Sequence, residues 1–398
     1  MRIAVDCRTI LNPGYGEAAG VGHYTTAILR ALFEIDQENQ YILFFDGNIV
    51  EASVDQLIAG RDNVKIRSFP LHALQKFLPI IYNQMFVARV IAQEKPDVFF
   101  SPSGLLPAMY KGKSVITVHD LAIFRHPEWF PETKIGRHYS TKFRVPSSLR
   151  HANAIITPSF ATANDVKLFF KFAFSKVEVI PHGVFSRDRM DFILSSEDRE
   201  RFEINKKYFL SLCTIEPRKN IEVALRAFDR LLFKSPELAK QFQFVIAGKK
   251  GWKYKSVFSA IDEINQRWQN TAHDDVIRYL GYVTRNDKWR LLTDAQVFIY
   301  PSLYEGFGLP VLEAMSVGTP VVTSRLTSLP EVGGDAVAYI DPYDAGPMVT
   351  VLDRMCDDQV AQELGQRGLA RSGEFTWEKS AQKTLEVLSR VGRGDRHP

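Results

Sequence analysis

The chain has 398 residues, with 50 Lys+Arg against 46 Asp+Glu and a net charge of +4. That length exceeds one ordinary core and suits two domains of roughly 150–200 residues each. At 45% hydrophobic and 24% charged residues, the composition excludes a disordered, collagenous or disulfide-stapled chain.

The start, MRIAVDCRTI, is too soon interrupted by charge to read as a signal sequence. Cys7, Cys213 and Cys356 are scattered, with no Cys-x-x-Cys or Cys/His cluster. Both features predict a reducing, cytoplasmic setting. The most apolar stretch, 77–92, is broken by Asn83, Gln84 and Arg89 and falls short of the ~20 residues of a membrane span. Charge is unevenly spread: Arg61 to Lys176 holds 17 Lys/Arg against 7 Asp/Glu, and the rest is net acidic. Such a basic half attracts phosphate-bearing substrates, anionic membranes or nucleic acid.

Short runs rich in β-branched and aromatic residues alternate with helix-length segments. They cover 2–6, 41–45, 64–67, 97–101, 114–118, 154–158 and 177–180, then 208–213, 243–247, 276–280, 297–300, 320–323 and 337–340. The runs are continuous rather than alternating, as in strands buried on both faces. Strand, helix, strand in series predicts parallel sheets covered by helices. Two series predict an α/β protein of two doubly wound Rossmann-like domains, 1–184 and 185–374, facing a central cleft. A last helix after 375 is predicted, with Thr376 placed to cap it. Ligands of such sheets bind beyond the carboxyl ends of the strands, so the residues just after strands are the ones to inspect.

After the first run come Gly14, Gly16, Gly20 and Gly22. Their spacing is not the dinucleotide fingerprint, and they read as a glycine loop over the site leading into a helix. His119-Asp120 follows the run 114–118; Asp120 either fixes the tautomer of His119 or caps the next element. After 208–213 stands Glu216-Pro217-Arg218-Lys219-Asn220, leading into IEVALRAFDRLL. Cations at a helix start oppose the dipole, and two of them there suit a bound diphosphate or a plain solvated pair. After 297–300 comes Glu305-Gly306-Phe307-Gly308-Leu309-Pro310, then a helix bearing Glu313. The glycines allow close backbone approach, and the helix start offers free N–H groups to an anion. Carboxylates beside a phosphate cradle suit hydroxyl groups, and sugars supply those.

Taken in order, these pieces resemble the GT-B glycosyltransferases, and among them the retaining family 4 enzymes. The resemblance runs through Gly20-Val21-Gly22, Thr117-Val118-His119-Asp120-Leu121, Thr157-Pro158-Ser159 and Val179-Ile180-Pro181-His182-Gly183-Val184. It continues through Glu216 to Asn220, Glu305 to Glu313, and Pro330-Glu331-Val332-Gly333-Gly334-Asp335-Ala336. It implies donor-diphosphate binding by Arg218, Lys219, the N–H groups of Phe307, Gly308 and Leu309, and Gly22. Glu313 would take the ribose hydroxyls, Tyr282 and Val283 would border the base, and His119 and Glu305 would serve the transferred sugar. The final helix, 375–398, would cross back onto the first domain.

Two departures stand out. Many relatives carry a further Arg before the Glu-Pro-Arg-Lys run, where this chain has Leu212-Cys213-Thr214. His182 replaces a common Asn. The flavour of the motifs implies a mannosyltransferase using GDP-mannose and a lipid-linked or cell-surface glycan acceptor, and the lack of an Asp-x-Asp to hold a metal predicts a metal-independent, cofactor-free reaction. A polyprenyl-diphosphate carrier would bring it to the inner membrane face, where the basic half and the 77–92 stretch would touch anionic lipid. No nucleic-acid partner is expected. A UDP-sugar donor, a nucleotide-sugar epimerase and a non-catalytic sugar-nucleotide or nucleic-acid binder are the alternatives.

Overall fold

A computed structural model describes residues 1–10, 20–46, 57–58, 60–69, 85–131, 140–185 and 192–394. Gly14, Gly16, residues 77–84 of the apolar stretch and the last four residues lie outside these. All thirteen expected runs are strands, with ends moved by a residue or two. The chain folds as two compact units.

The first unit comprises Met1–Arg125, Glu132–Gly183 and Thr376–Pro398. Its strands are β1 Arg2–Asp6, β2 Gln40–Asp46, β3 Val64–Phe69, β4 Val98–Ser101, β5 Ser114–Thr117, β6 Ala154–Thr157 and β7 Val177–Val179. They form one parallel sheet in the order β3-β2-β1-β4-β5-β6-β7. Central strands such as β4 and β5 are buried at every residue, which is why their sequences run apolar without alternation. The helix Trp377–Arg393 belongs to this unit, although it follows the second unit in sequence. Thr376 caps it by accepting from the Lys379 N–H at 3.2 Å. It packs on the helix Gly20–Ile35 and on β4, β5 and β6. Gly183 makes room for it: a Cβ there would lie 2.1 Å from the Trp377 nitrogen.

The second unit comprises His126–Pro131 and Val184–Phe375. Residues 126–131 stand in the first half of the sequence, yet they group here. Trp252 Nε1 donates to the Trp129 carbonyl at 2.5 Å, and Lys253 Nζ to that of Glu128 at 2.8 Å. The strands are β8 Lys207–Leu212, β9 Phe242–Ala247, β10 Ile277–Gly281, β11 Val297–Tyr300, β12 Val321–Ser324 and β13 Ala338–Ile340. Their order is β10-β9-β8-β11-β12-β13, again all parallel. The helix Ile221–Lys234 buries Ile221, Val223, Ala224, Leu225, Ala227, Phe228, Leu231 and Leu232, one broad apolar face. Strand order reverses between β8 and β11, and that switch point is where a doubly wound sheet opens a crevice for ligand. Among the described residues, no helix is long and apolar enough to cross a membrane.

Candidate functional site

The two loops that leave the switch point carry Arg218, Lys219 and Glu305 and lead to the helix that bears Glu313. β8 and β11 pair directly, with Phe209 opposite Val297 and Leu210 opposite Phe298. Beyond β8 the chain makes the short turn Pro217–Lys219. Beyond β11 it runs through 301–308 into the helix Leu309–Ser316. The loops are tied together: the Leu303 N–H donates to the Arg218 carbonyl at 2.8 Å.

Arg218, Lys219 and Glu305 form one cluster. Lys219 is buried, and its Nζ lies 2.5 Å from Glu305 Oε1 and 2.5 Å from the Tyr300 hydroxyl. Arg218 Nη1 donates to Glu305 Oε2 at 3.2 Å and to the Tyr304 carbonyl at 3.3 Å, while its Nε meets Glu216. Tyr300 and Ser302 add hydrogen bonds to Glu305 Oε1 at 2.9 and 2.7 Å. Burial alone would raise the Glu305 carboxyl, but the Lys219 ammonium and Arg218 guanidinium outweigh it and hold it down at about 2. Glu305 is only 8% exposed. The sequence suggested a carboxylate open to sugar hydroxyls; the structure makes it the counter-ion of the two cations, with Oε1 already taking three donors.

The Glu305 loop is fixed from below. The Ser328 hydroxyl lies 2.9 Å from the carbonyl oxygens of both Glu305 and Phe307, and Thr327 accepts from the Glu305 N–H at 3.0 Å. Gly308 closes the loop at φ +109, a conformation that an L side chain rarely adopts. Leu309 then starts the helix with Pro310 in its first turn, so the first N–H groups lack helical partners. Glu313 lies one turn further on. It is buried, and Oε1 takes the Nζ of Lys288 at 2.7 Å. Lys288 is itself buried, with its Nζ 4.8 Å from the Trp289 ring centroid. Sequence reading missed Lys288, because a lysine in RNDKWRLL reads as solvent-facing. It also passed over Tyr300 and Ser302, which have no motif of their own, and gave no role to Glu216, the first residue of the Glu-Pro-Arg-Lys-Asn run.

Tyr282 and Val283 follow edge strand β10. Val283 is buried, whereas Tyr282 is 42% exposed, with the Lys249 ammonium 4.6 Å from its ring centroid. β10 stands two strands from β8, a span of roughly 10 Å at usual strand spacing.

In the first unit, His119 follows β5. Its Nε2 lies 2.8 Å from the Pro102 carbonyl, so Nε2 carries the proton and Nδ1 the lone pair. Burial lowers its pKa, partly offset by this bond and by Asp120. Asp120 does not set the tautomer; its carboxylate accepts from the Ala122 N–H at 3.1 Å and so caps the next short helix. Tyr24 contacts His119 edge-on at 4.7 Å and His182 at 4.6 Å, and His182 stacks on Trp377. His182 is thus part of an aromatic cluster. Gly22 is buried in the first turn of the helix Gly20–Ile35, the helix into which the glycine loop was expected to lead.

Comparison with known proteins shows the same division. Residues 18–185 match the model of Glycosyltransferase Family 4, and residues 195–371 that of Glycosyl transferases group 1. The chain is 30% identical to O-antigen chain mannosyltransferase B of Escherichia coli, over 92% of this chain and 95% of that protein. It is 28% identical to the serotype-specific mannosyltransferase WbdA of Escherichia coli over 94% of this chain, which spans 46% of that longer protein. Among solved structures, sucrose-phosphate synthase of Thermosynechococcus elongatus superposes with a TM-score of 0.71 at 17% identity, covering 99% of this chain and all of the other. HepE of Anabaena, in complex with UDP-glucose, gives 0.68 at 17% identity, covering 98% and 99%. Two parallel sheets of like strand order, two family models matched in series and a full-length relative agree: the chain belongs to the family 4 glycosyltransferases of GT-B fold.

Proposed function

We propose that the protein transfers mannose from GDP-mannose to a hydroxyl of a lipid-linked or cell-surface glycan, with retention at the anomeric carbon. The observation that carries this reading is the cluster of Arg218, Lys219 and Glu305 beside the Gly308 helix start. The costly event in such a transfer is departure of the nucleoside diphosphate, on which negative charge builds. Two cations and the first N–H groups of a helix are fixed in advance next to one another, so electrostatic stabilisation is the largest contribution they can make. Lys219 spends two of its three N–H bonds on Tyr300 and Glu305, which leaves one for a phosphate oxygen. Glu305 keeps both cations aimed before the donor arrives. Glu313, held by Lys288, is the acceptor for ribose hydroxyls. Tyr282, two strands away, is within a nucleoside's reach of the phosphates.

His119 stays neutral, and its Nδ1 lone pair orients a sugar hydroxyl rather than attacking. With the leaving phosphate accepting the acceptor's proton, no protein nucleophile is required. The mannose assignment draws on the names of the Escherichia coli relatives, and the lipid-linked acceptor on the resemblance of the motifs.

Thermal shift against GDP, UDP, ADP and their sugars tests the donor. A ligand at 100 times its dissociation constant stabilises by about 2.7 kcal/mol, so GDP and GDP-mannose are expected to raise the melting temperature by several degrees. A response to UDP alone would overturn the donor assignment. The chain has no Asp-x-Asp motif, and we expect transfer to continue unchanged in excess EDTA. Loss of activity in EDTA with recovery on adding manganese would refute metal independence.

A further inference from the structure

A surface of the first unit, whose exposed side chains hold none of the roles assigned above, has the composition of a membrane-contacting face. The helix Phe160–Phe169 exposes Phe160, Asn164, Lys167 and Leu168. At 3.6 residues per turn these four lie within about 100° of one another. The turn Lys171–Lys176 comes directly after it and exposes Lys171, Phe172 and Phe174. Phe160 is 66% exposed, Leu168 63%, Phe172 46% and Phe174 38%. A single exposed leucine is ordinary on a soluble protein. Four large apolar side chains within fifteen residues are not, and clusters of this kind mark contact surfaces.

The charges beside them are of one sign. Residues 140–176 hold six Lys/Arg and one acid, Asp165. Asp165 is buried and accepts from Arg125 Nε at 3.0 Å. The Arg150 guanidinium lies 5.0 Å from the Phe172 ring centroid, and the Lys167 ammonium 5.1 Å from that of Phe174. Among the described residues, Arg150, Lys167 and Lys171 have no carboxylate within ion-pair distance. Exposed aromatics interleaved with uncompensated cations match a bilayer interface in chemistry: rings enter the headgroup boundary while ammonium and guanidinium groups meet lipid phosphates.

We infer that the Phe160–Lys176 face docks on an anionic lipid bilayer, with Phe160, Leu168, Phe172 and Phe174 inserted and Arg150, Lys167 and Lys171 on the phosphates. The purpose of this surface rests on the proposed lipid-linked acceptor; its composition and charge stand without it. The face lies within the basic half, 61–176, which the sequence expectation named together with the 77–92 stretch.

Co-sedimentation of the full chain tests it, using vesicles of phosphatidylcholine alone and of phosphatidylcholine mixed with phosphatidylglycerol. Binding is expected to the mixed vesicles only, and to weaken with added salt. Lys167→Glu and Lys171→Glu are each expected to weaken binding about 5-fold or more. A double variant, L168S with F172S, is expected to lose the salt-resistant part. Both side chains are exposed, so circular dichroism should be unchanged. Mixed-vesicle binding that is absent in the wild type, or equal in all variants, overturns the proposal. So does light scattering that shows a dimer lost in the L168S/F172S variant, because a second copy would then cover the face. The nucleotide thermal shift of the same variants is expected to match the wild type. Its absence in the wild type would count against the donor assignment and leave the vesicle result standing.

Discussion

Replacing Lys219 with alanine is expected to cut kcat for sugar transfer by ~100-fold or more, the usual cost of removing one preorganised donor from a developing anion. The effect should exceed that of a typical phosphate-binding lysine for two reasons. Leu212-Cys213-Thr214, just before the Glu-Pro-Arg-Lys run, supplies no third cation to the pair. Lys219 also holds Glu305, which would remain buried with Arg218 as its nearest cation. Acid titration separates the two effects. The Glu305 carboxyl is held at about 2, below its ordinary value of about 4.3. The stabilisation from that shift is fully present above the ordinary value and is lost as pH falls toward 2. Without Lys219 the carboxyl protonates at higher pH, so acid unfolding of Lys219→Ala should begin at higher pH than in the wild type. Glu305→Gln should remove this part of the acid dependence while also lowering turnover, because both cations lose their counter-ion and their aim. Near wild-type kcat in Lys219→Ala, with the protein folded, would refute the role given to the cluster.

The fold was legible because continuous apolar runs, helix-length spacers and capping residues such as Thr376 all state local physics. Residues at strand ends were legible too, since a parallel sheet gathers them on one side. What the sequence did not disclose was pairing. Glu305 and Lys219 are 86 positions apart, and nothing local says that the glutamate serves the lysine rather than a sugar. Lys288 hid for the converse reason: its neighbours make it look like a solvated helix face, and only the tertiary position of Glu313 turns it inward. Asp120 shows the same limit at short range. Cap and tautomer partner were both open from sequence, and the Pro102 carbonyl, 17 positions from His119, accepts the ring N–H instead. Residues 126–131 group with the second unit through Trp252 and Lys253, contacts no composition shift announces.

The second large effect is steric and concerns Gly248, the residue after β9. Its φ is +140, and a Cβ there would lie 1.8 Å from the carbonyl oxygen of Cys213 and 2.6 Å from its carbonyl carbon. Both are backbone atoms, so no side chain can swing aside. Gly248 also joins three loops of the site. Its N–H donates to the Gly281 carbonyl at 2.7 Å, and the Cys213 N–H donates to the Ala247 carbonyl at 3.0 Å. A methyl group would push the β8 loop, which carries Arg218 and Lys219, away from the β10 loop, which carries Tyr282. Strain at a disfavoured φ and a backbone clash together should cost roughly 3–5 kcal/mol. In a domain of this size that lowers the melting temperature by on the order of 10 °C. Gly281→Ala is the matched comparison. Its φ is +70, and a Cβ would meet nothing within 4 Å, so only conformational strain of about 1–2 kcal/mol applies. Thermal unfolding of the two variants side by side isolates the clash: equal melting temperatures would refute it. If Gly248→Ala also abolishes the nucleotide-induced shift while Gly281→Ala retains it, the close approach of the β8 and β9 loops is what keeps the cations in register with the rest of the donor site.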